Sequence, residues 1–352
     1  MSLMKSIGYR AVAMLYAVGF FSLLNRWVDH VQIKTTEDKT LKFPWVQKRK
    51  SRPVQILMYH GIDDAWSPFL PPTPIHQFKS HLDYLSAYCH VLTLEEAVER
   101  LKYGDVPHRA VVITIDDGYR DSYVNAFPLL KEKELPATVF LATSGIGTGH
   151  VLWHDRVCWM ISHTTVPFLD GFGSRHRYEL DTLEDRRVAQ NGVLWYLRTL
   201  NDQSRVQAIE SLSSHLEVSG NPSPDFRLML NWEEIKEMHG GGIRFGAHTV
   251  THPILSKTSL PAVVDEIRES KVTIERNVGD TVTTFAYPSG RPEDYNAEIK
   301  KIVEEEGFAC AVSTVRGNNF QGDDLFDLQR MGYWDQESGL FGLRFEYSRF
   351  CA

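Results

Sequence analysis

The chain has 352 residues, which is enough for about two average domains or for one large α/β barrel with additions. Hydrophobic residues make up 43% of it and charged residues 24%, which is ordinary globular usage and excludes long disorder, collagen-like repetition and a polytopic membrane protein. The 38 basic and 45 acidic side chains leave a formal charge of -7, so a neutral or cationic substrate suits the chain better than nucleic acid or another polyanion. Its four scattered cysteines include no Cys-x-x-Cys pair, which predicts neither a disulfide framework nor a zinc knuckle.

Residues 1–52 are predicted to form an N-terminal apolar helix followed by a basic linker. The apolar run at 11–24 is shorter than the roughly 20 residues that span a bilayer, and no small-residue cleavage site follows it. One interpretation is a helix over 11–27 that lies in a membrane interface, with Trp27 at the level of the headgroups. A helix that packs on its own domain is the alternative, and export is a third. The side of a membrane and the localisation therefore stay open.

From residue 53 onward, short apolar runs alternate with amphipathic segments. The predicted strands cover 54–58, 110–115, 137–142, 243–247, 283–287 and 309–314, and the predicted helices cover 75–88, 94–101, 122–133, 232–238, 260–278 and 296–306. This alternation favours a parallel sheet or barrel. The alternation of strands and helices is interrupted at about 149–227, and this stretch is predicted to be an insertion. Within it, Val206, Ile209, Leu212 and Leu216 recur at helical spacing. Residues 53–352 are thus predicted to form one domain with an insertion.

Two carboxylates, Asp116 and Asp117, follow the strand at 110–115 directly. The carboxyl ends of parallel strands are where α/β folds place their active sites. Burying both groups as neighbouring anions is costly, so at least one of them needs a cationic partner. Gly118 permits a sharp turn or a close approach to a ligand. The alternative is an aspartate that caps the next helix, which explains one carboxylate but not two in tandem.

Two histidines, His248 and His252, are spaced as on the helix of zinc proteases. Pro253 disfavours that helix, which favours a strand running into a loop with both imidazoles turned inward. Hydrogen-bonded core or capping histidines are the alternative. Together with Asp117 they make the three N/O ligands that a catalytic divalent metal ion, zinc above all, commonly takes, and the ion would polarise a carbonyl and acidify its water. Asp116 is left beside that water as a candidate general base.

Two further strand ends are candidate parts of the site. His60, in the segment 56–62, is a candidate general acid for a leaving amine, although a structural histidine is the alternative. In the segment 284–292, backbone N–H groups of a Pro-Ser-Gly turn are candidates for holding a developing oxyanion, and an ordinary turn is the alternative. The predicted substrate and oxyanion contacts are Tyr59, Tyr287, Pro288, Ser289 and Gly290.

The motifs Asp-Asp-Gly and His-x-x-x-His-Pro, in this order, resemble those of the polysaccharide deacetylases of the NodB-homology type (carbohydrate esterase family 4). The resemblance covers about residues 54–335 without the insertion. It implies a distorted (β/α) barrel with fewer strands than a TIM barrel, a divalent metal that is usually zinc, and removal of N-acetyl groups from N-acetylhexosamine polymers. Carried over by motif, Asp116 is the base, and Asp117, His248 and His252 are the metal ligands.

Two departures from the family pattern affect the assignments. Many members supply the general acid from a late histidine, but none follows His252 here. The Met-Tyr-His-Gly segment resembles the exopolysaccharide and poly-N-acetylglucosamine branch, in which the barrel is circularly permuted and the acid comes from this early motif, so the resemblance gives the role to His60. The turn motif lacks the family's arginine. Arg330, or alternatively Arg291, is therefore predicted to orient Asp116.

The sequence as a whole predicts a metal-dependent hydrolase that deacetylates N-acetylhexosamine units of a polysaccharide or oligosaccharide. An amidohydrolase of the same fold on a small non-sugar amide would share the metal site and differ in the groove. A catalytically weak carbohydrate-binding protein would have lost a ligand or the base, and a purely structural barrel would leave the tandem aspartates unexplained. The expected partner is a carbohydrate, with no nucleic acid and no protein partner implied.

Overall fold

The computed structural model describes residues 51–64, 72–173, 177–218, 227–332 and 338–351. The predicted N-terminal helix, and all but the end of the predicted linker, lie outside these residues. Within the described ranges, no helix combines the length and the apolar character needed to cross a membrane.

The fold is built on a parallel sheet whose strands alternate with helices. The strands are β1 (Val54–Tyr59), β2 (His90–Val91), β3 (Ala110–Ile115), β4 (Thr138–Leu141), β5 (Phe168–Asp170), β6 (Arg177–Glu179), β7 (Arg244–Ala247), β8 (Thr284–Ala286), β9 (Cys310–Arg316) and β10 (Leu328–Arg330). The helices are α1 (Ile75–Tyr88), α2 (Leu94–Tyr103), α3 (Phe127–Glu132), α4 (Trp153–His163), α5 (Leu183–Thr199), α6 (Asp202–Leu216), α7 (Trp232–Gly240), α8 (Leu260–Val278), α9 (Ala297–Glu305) and α10 (Ser338–Cys351).

The parallel strands close into a distorted barrel. Their order is β1-β3-β4-β7-β8-β9-β10, with the two-residue β2 paired to β3 outside this path. Beyond β10, Met331 donates its N–H to Ile56 at 2.8 Å and accepts the N–H of Met58 at 2.9 Å, which joins the last strand to the first. The ring thus has one strand fewer than a TIM barrel, and the predicted distorted (β/α) barrel is confirmed.

Buried apolar runs explain why these segments form strands. All six residues of β1 and all six of β3 are buried, as expected for strands covered on both faces. Because successive side chains point to opposite faces, Val111 and Ile113 join one apolar cluster, whereas Ala110 and Val112 join another. The sheet is therefore held from both sides, and its strand ends are fixed.

The chain between β4 and α7 forms a subdomain with its own apolar cluster. It contains α4, the antiparallel pair β5–β6, α5 and α6, and the strand pair was not predicted. Ile209, Leu212 and Leu216 are buried in this cluster as expected, but the prediction that Val206 shares their face is wrong, because it is 53% exposed. Arg205 takes that position instead, one residue earlier on the helix, and pairs with Asp202.

Two other predictions need correction. The helix expected over 122–133 is a π-helical turn (Ser122–Ala126) followed by α3, because Pro128 has no N–H for the hydrogen bond that an α-helix requires there. The strand β10 and the helix α10 were not predicted. β10 has three residues, which is too short for a hydrophobic period to be recognised.

Candidate active site

The carboxyl ends of the parallel strands bring the predicted site residues to one rim of the barrel. His60 follows β1, Asp116 and Asp117 follow β3, and His248 follows β7. These four residues and His252 line one cavity of about 710 Å³. The chain thus gathers side chains separated by up to about 190 residues in sequence at the place where barrels of this kind hold their chemistry.

Asp117, His248 and His252 form a compact buried cluster. The Oδ1 atom of Asp117 lies 3.4 Å from Nε2 of each histidine. One potential ligand atom of each residue lies within 4.8 Å of the others. The same Oδ1 atom is buried and accepts no hydrogen bond within the described part of the chain. A buried carboxylate oxygen without a donor, facing two imidazoles, is a donor set that fits a divalent metal ion.

Neighbouring groups orient the His248 imidazole and hold the loop that carries His252. Nδ1 of His248 lies 2.7 Å from the carbonyl oxygen of Ala286, which can only accept, so Nδ1 holds the proton and Nε2 is left for a ligand. The carbonyl of His252 accepts the indole N–H of Trp153 at 2.9 Å. Glu266 accepts two backbone N–H groups of the loop between the histidines at 2.8 Å each. The loop is therefore held by side chains from α4 and α8.

The electrostatics of the cluster agree with ligation. Burial by itself would raise the pKa of Asp117, but the two imidazoles 3.4 Å away hold that pKa well below its usual value. Burial and the neighbouring His248 lower the pKa of His252 well below the usual value, which keeps this ring neutral. Burial opposes a charge on His248, whereas Asp117 and Asp116 favour one, and the net effect raises the pKa of this imidazole.

Asp116 is bound by a buried arginine. Nη1 and Nη2 of Arg330 each donate to one carboxylate oxygen of Asp116 at 2.7 Å, and Arg330 also donates to the carbonyl of Ser313 and the hydroxyl of Thr114. Burial would raise the pKa of Asp116, but the Arg330 charge and its hydrogen bonds hold it below the usual value. Of the two predicted arginines, the structure places Arg330 on Asp116, whereas Arg291 lies near Glu293 at 3.9 Å.

Neither tandem aspartate caps a helix, so that alternative is wrong. Asp116 is bound to Arg330, Asp117 faces the histidines, and the next helical turn begins only at Ser122. Gly118 has a φ of +83°, and a Cβ there would lie 2.9 Å from the side chain of Leu141. The turn after β3 therefore needs glycine both for its backbone angle and for space.

His60 lies at the cavity edge, next to the Asp116–Arg330 pair. Its Nε2 atom is 3.8 Å from Oδ2 of Asp116, and its side chain is 25% exposed. It also lines the cavity that contains the Asp117 cluster. An imidazole in this position reaches both the carboxylate and a molecule in the cavity.

The predicted oxyanion turn is only partly turned toward the cavity. Ser289 lines it, with a φ of +61°, and its N–H has no acceptor among the described residues. The N–H of Gly290 is occupied, because it donates to the carbonyl of Pro288 at 2.7 Å. Thr314 holds the turn through the carbonyls of Ser289 and Gly290. Of the three turn residues, Ser289 is the one with an N–H left for a ligand.

Of the two tyrosines predicted to contact the substrate, only one lines the cavity. Tyr287 lines the cavity, although its hydroxyl donates to the carbonyl of Phe326 at 2.9 Å. Tyr59 is buried on the other face of β1, where its hydroxyl lies 3.0 Å from Nδ1 of His81 and its ring packs edge-on against Phe78. The prediction of a substrate contact for Tyr59 is therefore wrong. Successive strand residues point to opposite faces, and Met58 is the one that lines the cavity.

Backbone strain is concentrated at this rim. Asp117, Thr249, His252 and Ser289 are non-glycine residues with φ between +57° and +74°. Such conformations cost on the order of 1–3 kcal/mol each and persist where the surrounding structure requires them, as at functional sites. The strained residues include two members of the candidate metal cluster and the turn residue that faces the cavity.

Sequence reasoning missed the part of the site that the insertion supplies. Trp153, His154, Trp195 and Arg198 line the same cavity. The hydroxyl of Tyr119 donates to Asp155 and lies 3.1 Å from Nε2 of His154, which joins α4 to the loop after β3. The triplet Trp-His-Asp at 153–155 was the available signal, because it sets two titratable side chains next to a tryptophan in an otherwise unassigned stretch.

Comparisons with known proteins agree with this geometry. The family model described as polysaccharide deacetylase matches residues 103–311, which is more than half of the chain. YxkH of Bacillus subtilis, whose name assigns it to the polysaccharide deacetylases, is 24% identical over 304 residues, covering 86% of this chain and 78% of that protein. The poly-beta-1,6-N-acetyl-D-glucosamine N-deacetylase of Staphylococcus epidermidis is 42% identical over 73 residues, covering 20% of this chain and 25% of that protein.

Solved structures share the fold. The deacetylase PplD of Streptococcus pyogenes superposes with a TM-score of 0.56 at 20% identity, covering 82% of this chain and 96% of that one. IcaB of Ammonifex degensii superposes with a TM-score of 0.54 at 18% identity, covering 83% of this chain and 97% of that one. The chain therefore belongs to the polysaccharide deacetylase family, whose enzymes hydrolyse the carbon–nitrogen bond of carbohydrate amides.

Proposed function

We propose that this chain removes N-acetyl groups from the N-acetylhexosamine units of an exopolysaccharide, with the help of one divalent metal ion, zinc above all. The observation on which the proposal rests is the pairing of two buried clusters at one rim. Asp117, His248 and His252 make a buried cluster of potential metal ligands, and the Asp116–Arg330 pair lies directly beside it. The first cluster has the ligands for a metal ion, and the second provides a carboxylate that can accept a proton.

Asp117, His248 and His252 would hold the metal. One carboxylate and two imidazoles are the ligand types that zinc takes in hydrolases, with room for further oxygen ligands. When bound, such an ion would polarise the acetyl carbonyl and make a water molecule more acidic. The orientation of His248 by the carbonyl of Ala286 and the burial of Asp117 support this assignment.

The remaining residues move protons and stabilise charge. Asp116 is ionised because Arg330 lowers its pKa, so it accepts the proton of the attacking water. His60 donates a proton to the departing sugar nitrogen, for which its position at the cavity edge, 3.8 Å from Asp116, is suitable. The N–H of Ser289 would donate to the developing oxyanion, since Ser289 lines the cavity and this N–H has no acceptor among the described residues. Arg330 positions Asp116 and does not touch the substrate.

The proposed substrate class follows from the relatives. Several staphylococcal relatives are named poly-beta-1,6-N-acetyl-D-glucosamine N-deacetylases, and we infer a polymer of N-acetylated hexosamine for this chain. A cavity of about 710 Å³ is large enough for more than one sugar unit. A small-amide hydrolase would need only a fraction of that volume, and a carbohydrate-binding protein would not need the complete set of Asp116, Asp117, His248 and His252.

The domain assignment and the membrane contact are also proposals. We infer that residues 53–352 act as one deacetylase domain with the insertion at about 149–227. The predicted helix over 11–27 lies outside the described residues, and we propose that this segment contacts a membrane interface, because its apolar run is flanked by basic residues.

Acetate release tests the function directly. The full chain is incubated with Zn²⁺ and β-1,6-linked N-acetylglucosamine oligomers, and acetate is measured over time, with N-acetylated small amides as the competing substrates. The test variant is Asp116→Asn, which keeps the side-chain shape and removes the base. Its rate of acetate release should fall by about 10²–10⁴. Acetate release from the small amides alone, or equal rates for Asp116→Asn and the wild type, would contradict the proposal.

A further inference from the structure

We propose that Trp195 on α5 forms a second sugar-binding position, which stacks on a unit of the glycan next to the one being deacetylated. This inference rests on the proposed function and extends it to the insertion. It assigns the insertion a role in recognising a chain of sugars, which the catalytic residues alone do not provide.

One face of α5 forms a wall of the active-site cavity. Arg187, Asn191, Trp195 and Arg198 all line it, and they recur three or four residues apart. Residues at this spacing share one face of a helix. The same cavity contains Asp116 and the Asp117 cluster, so it runs without interruption from the reacting groups to the insertion.

Trp195 is unusual for its chemistry and its exposure. Its side chain is 58% exposed although tryptophan is largely buried in most folds. An indole ring has a negative face, onto which the C–H groups on the apolar side of a sugar ring pack favourably. Arg187 and Asn191 on the same wall offer N–H donors for sugar hydroxyls. An aromatic face flanked by polar donors is the usual composition of a site for a small polar ring.

Partly buried contacts fix this wall to the turn at 288–290. Arg198 donates to both carboxylate oxygens of Asp294 at 2.8 and 2.9 Å, and Asp294 also accepts the backbone N–H of Arg291 at 3.0 Å. Arg291 follows Ser289 in the turn by two residues, and its guanidinium lies 5.6 Å from the centre of the Trp195 ring. The helix segment that carries Trp195 is thus held at a set position relative to the turn, which reduces the entropy lost when a sugar chain binds.

The same face offers no comparable argument for a protein partner. Trp195 opens into the active-site cavity rather than onto a flat surface, and polar side chains flank it. A stacked sugar unit is therefore the occupant that its surroundings favour. If Trp195 bound a protein instead, replacing it would not change KM in a way that depends on the length of the glycan.

The test compares substrates of different length in the full chain. Acetate release is measured from a β-1,6-linked N-acetylglucosamine pentamer and from the monomer, for the wild type, Trp195→Ala and Trp195→Phe. We expect Trp195→Ala to raise KM for the pentamer about tenfold relative to KM for the monomer, as expected for the loss of one stacking contact, with kcat changed much less. Trp195→Phe keeps an aromatic face and should recover most of the loss.

A matched control is Tyr103→Ala, which removes an exposed aromatic side chain outside the cavity and should change neither KM. An unchanged ratio of the two KM values in Trp195→Ala, or an equal loss on both substrates, would overturn the subsite and leave the proposed function intact. Calorimetric binding of the pentamer that depends on Trp195, without acetate release from any oligomer, would overturn the proposed function and support the subsite.

Discussion

Replacing Arg330 by methionine tests how much of the site depends on one buried ion pair. The arginine is fully buried and makes two 2.7 Å hydrogen bonds to Asp116, with two more to the carbonyl of Ser313 and the hydroxyl of Thr114. Methionine keeps most of the apolar stem and removes all the donors. The carboxylate of Asp116 would then remain buried without its cation.

The expected cost follows from that geometry. Removing one partner of a buried pair costs about 3–5 kcal/mol, because an uncompensated charge is left behind. The free energy of unfolding of a domain is typically about 5–15 kcal/mol, so Arg330→Met should lose a large part of it. Without the arginine, burial becomes the dominant influence on Asp116 and raises its pKa, so the base is protonated over a wider pH range and activity at low pH falls first.

Urea unfolding of four variants provides the assay. Arg330→Met, Asp116→Asn and the double variant form a cycle, in which the double variant should be more stable than the sum of the single losses by about 2 kcal/mol or more. Arg291→Met is the matched control, since this half-exposed arginine should change the unfolding free energy by less than about 0.5 kcal/mol. A loss below about 1 kcal/mol in Arg330→Met, or additive losses in the cycle, would refute the reasoning.

Three further predictions concern other parts of the site. His60→Ala should lower kcat by about 10²–10⁴ while the bound metal per chain stays constant, and unchanged turnover would exclude His60 as the acid. Trp153→Phe removes the indole N–H that the carbonyl of His252 accepts, so calorimetry should find zinc affinity about tenfold or more weaker, and equal affinity would exclude this support. Burial raises the pKa of Asp121 to about 7, so the folded state holds a proton that the unfolded chain releases. The contribution of Asp121 to the free energy of unfolding therefore falls as the pH rises from about 4 to about 7. Unfolding of Asp121→Asn should lack this dependence, worth up to about 1.4 kcal/mol per pH unit, and parallel pH curves for the two proteins would contradict it.

The order of the elements and the core of the site were predictable because they depend on local pattern. The run at 110–115 is apolar without interruption, as a strand buried on both faces requires, and the tandem aspartates follow at its end. Parallel strands place their carboxyl ends together, so Asp117 and the two histidines were expected to meet. The choice of Arg330 or Arg291 as the partner of Asp116 came from the family resemblance rather than from the hydrophobic pattern of the sequence.

The remaining features depend on tertiary packing. Tyr59 was assigned to the substrate because it adjoins His60, although the two-residue period of β1 turns it into the core beside His81. The helical period of the insertion identifies its buried face, but the face toward the active site is set by how α5 docks, through the contact of Arg198 with Asp294. Trp195 was therefore not identifiable from the sequence.

The central claim is that one carboxylate and two imidazoles from distant parts of the chain hold a single divalent ion. The most direct measurement is calorimetric titration of Zn²⁺ into the metal-free full chain, with Asp117→Ala titrated in parallel. The account predicts one ion per chain at a site that Asp117→Ala abolishes, with an affinity that weakens as the pH falls because metal ligation requires neutral histidines. Absence of binding to the wild type, or equal binding by Asp117→Ala, would contradict it.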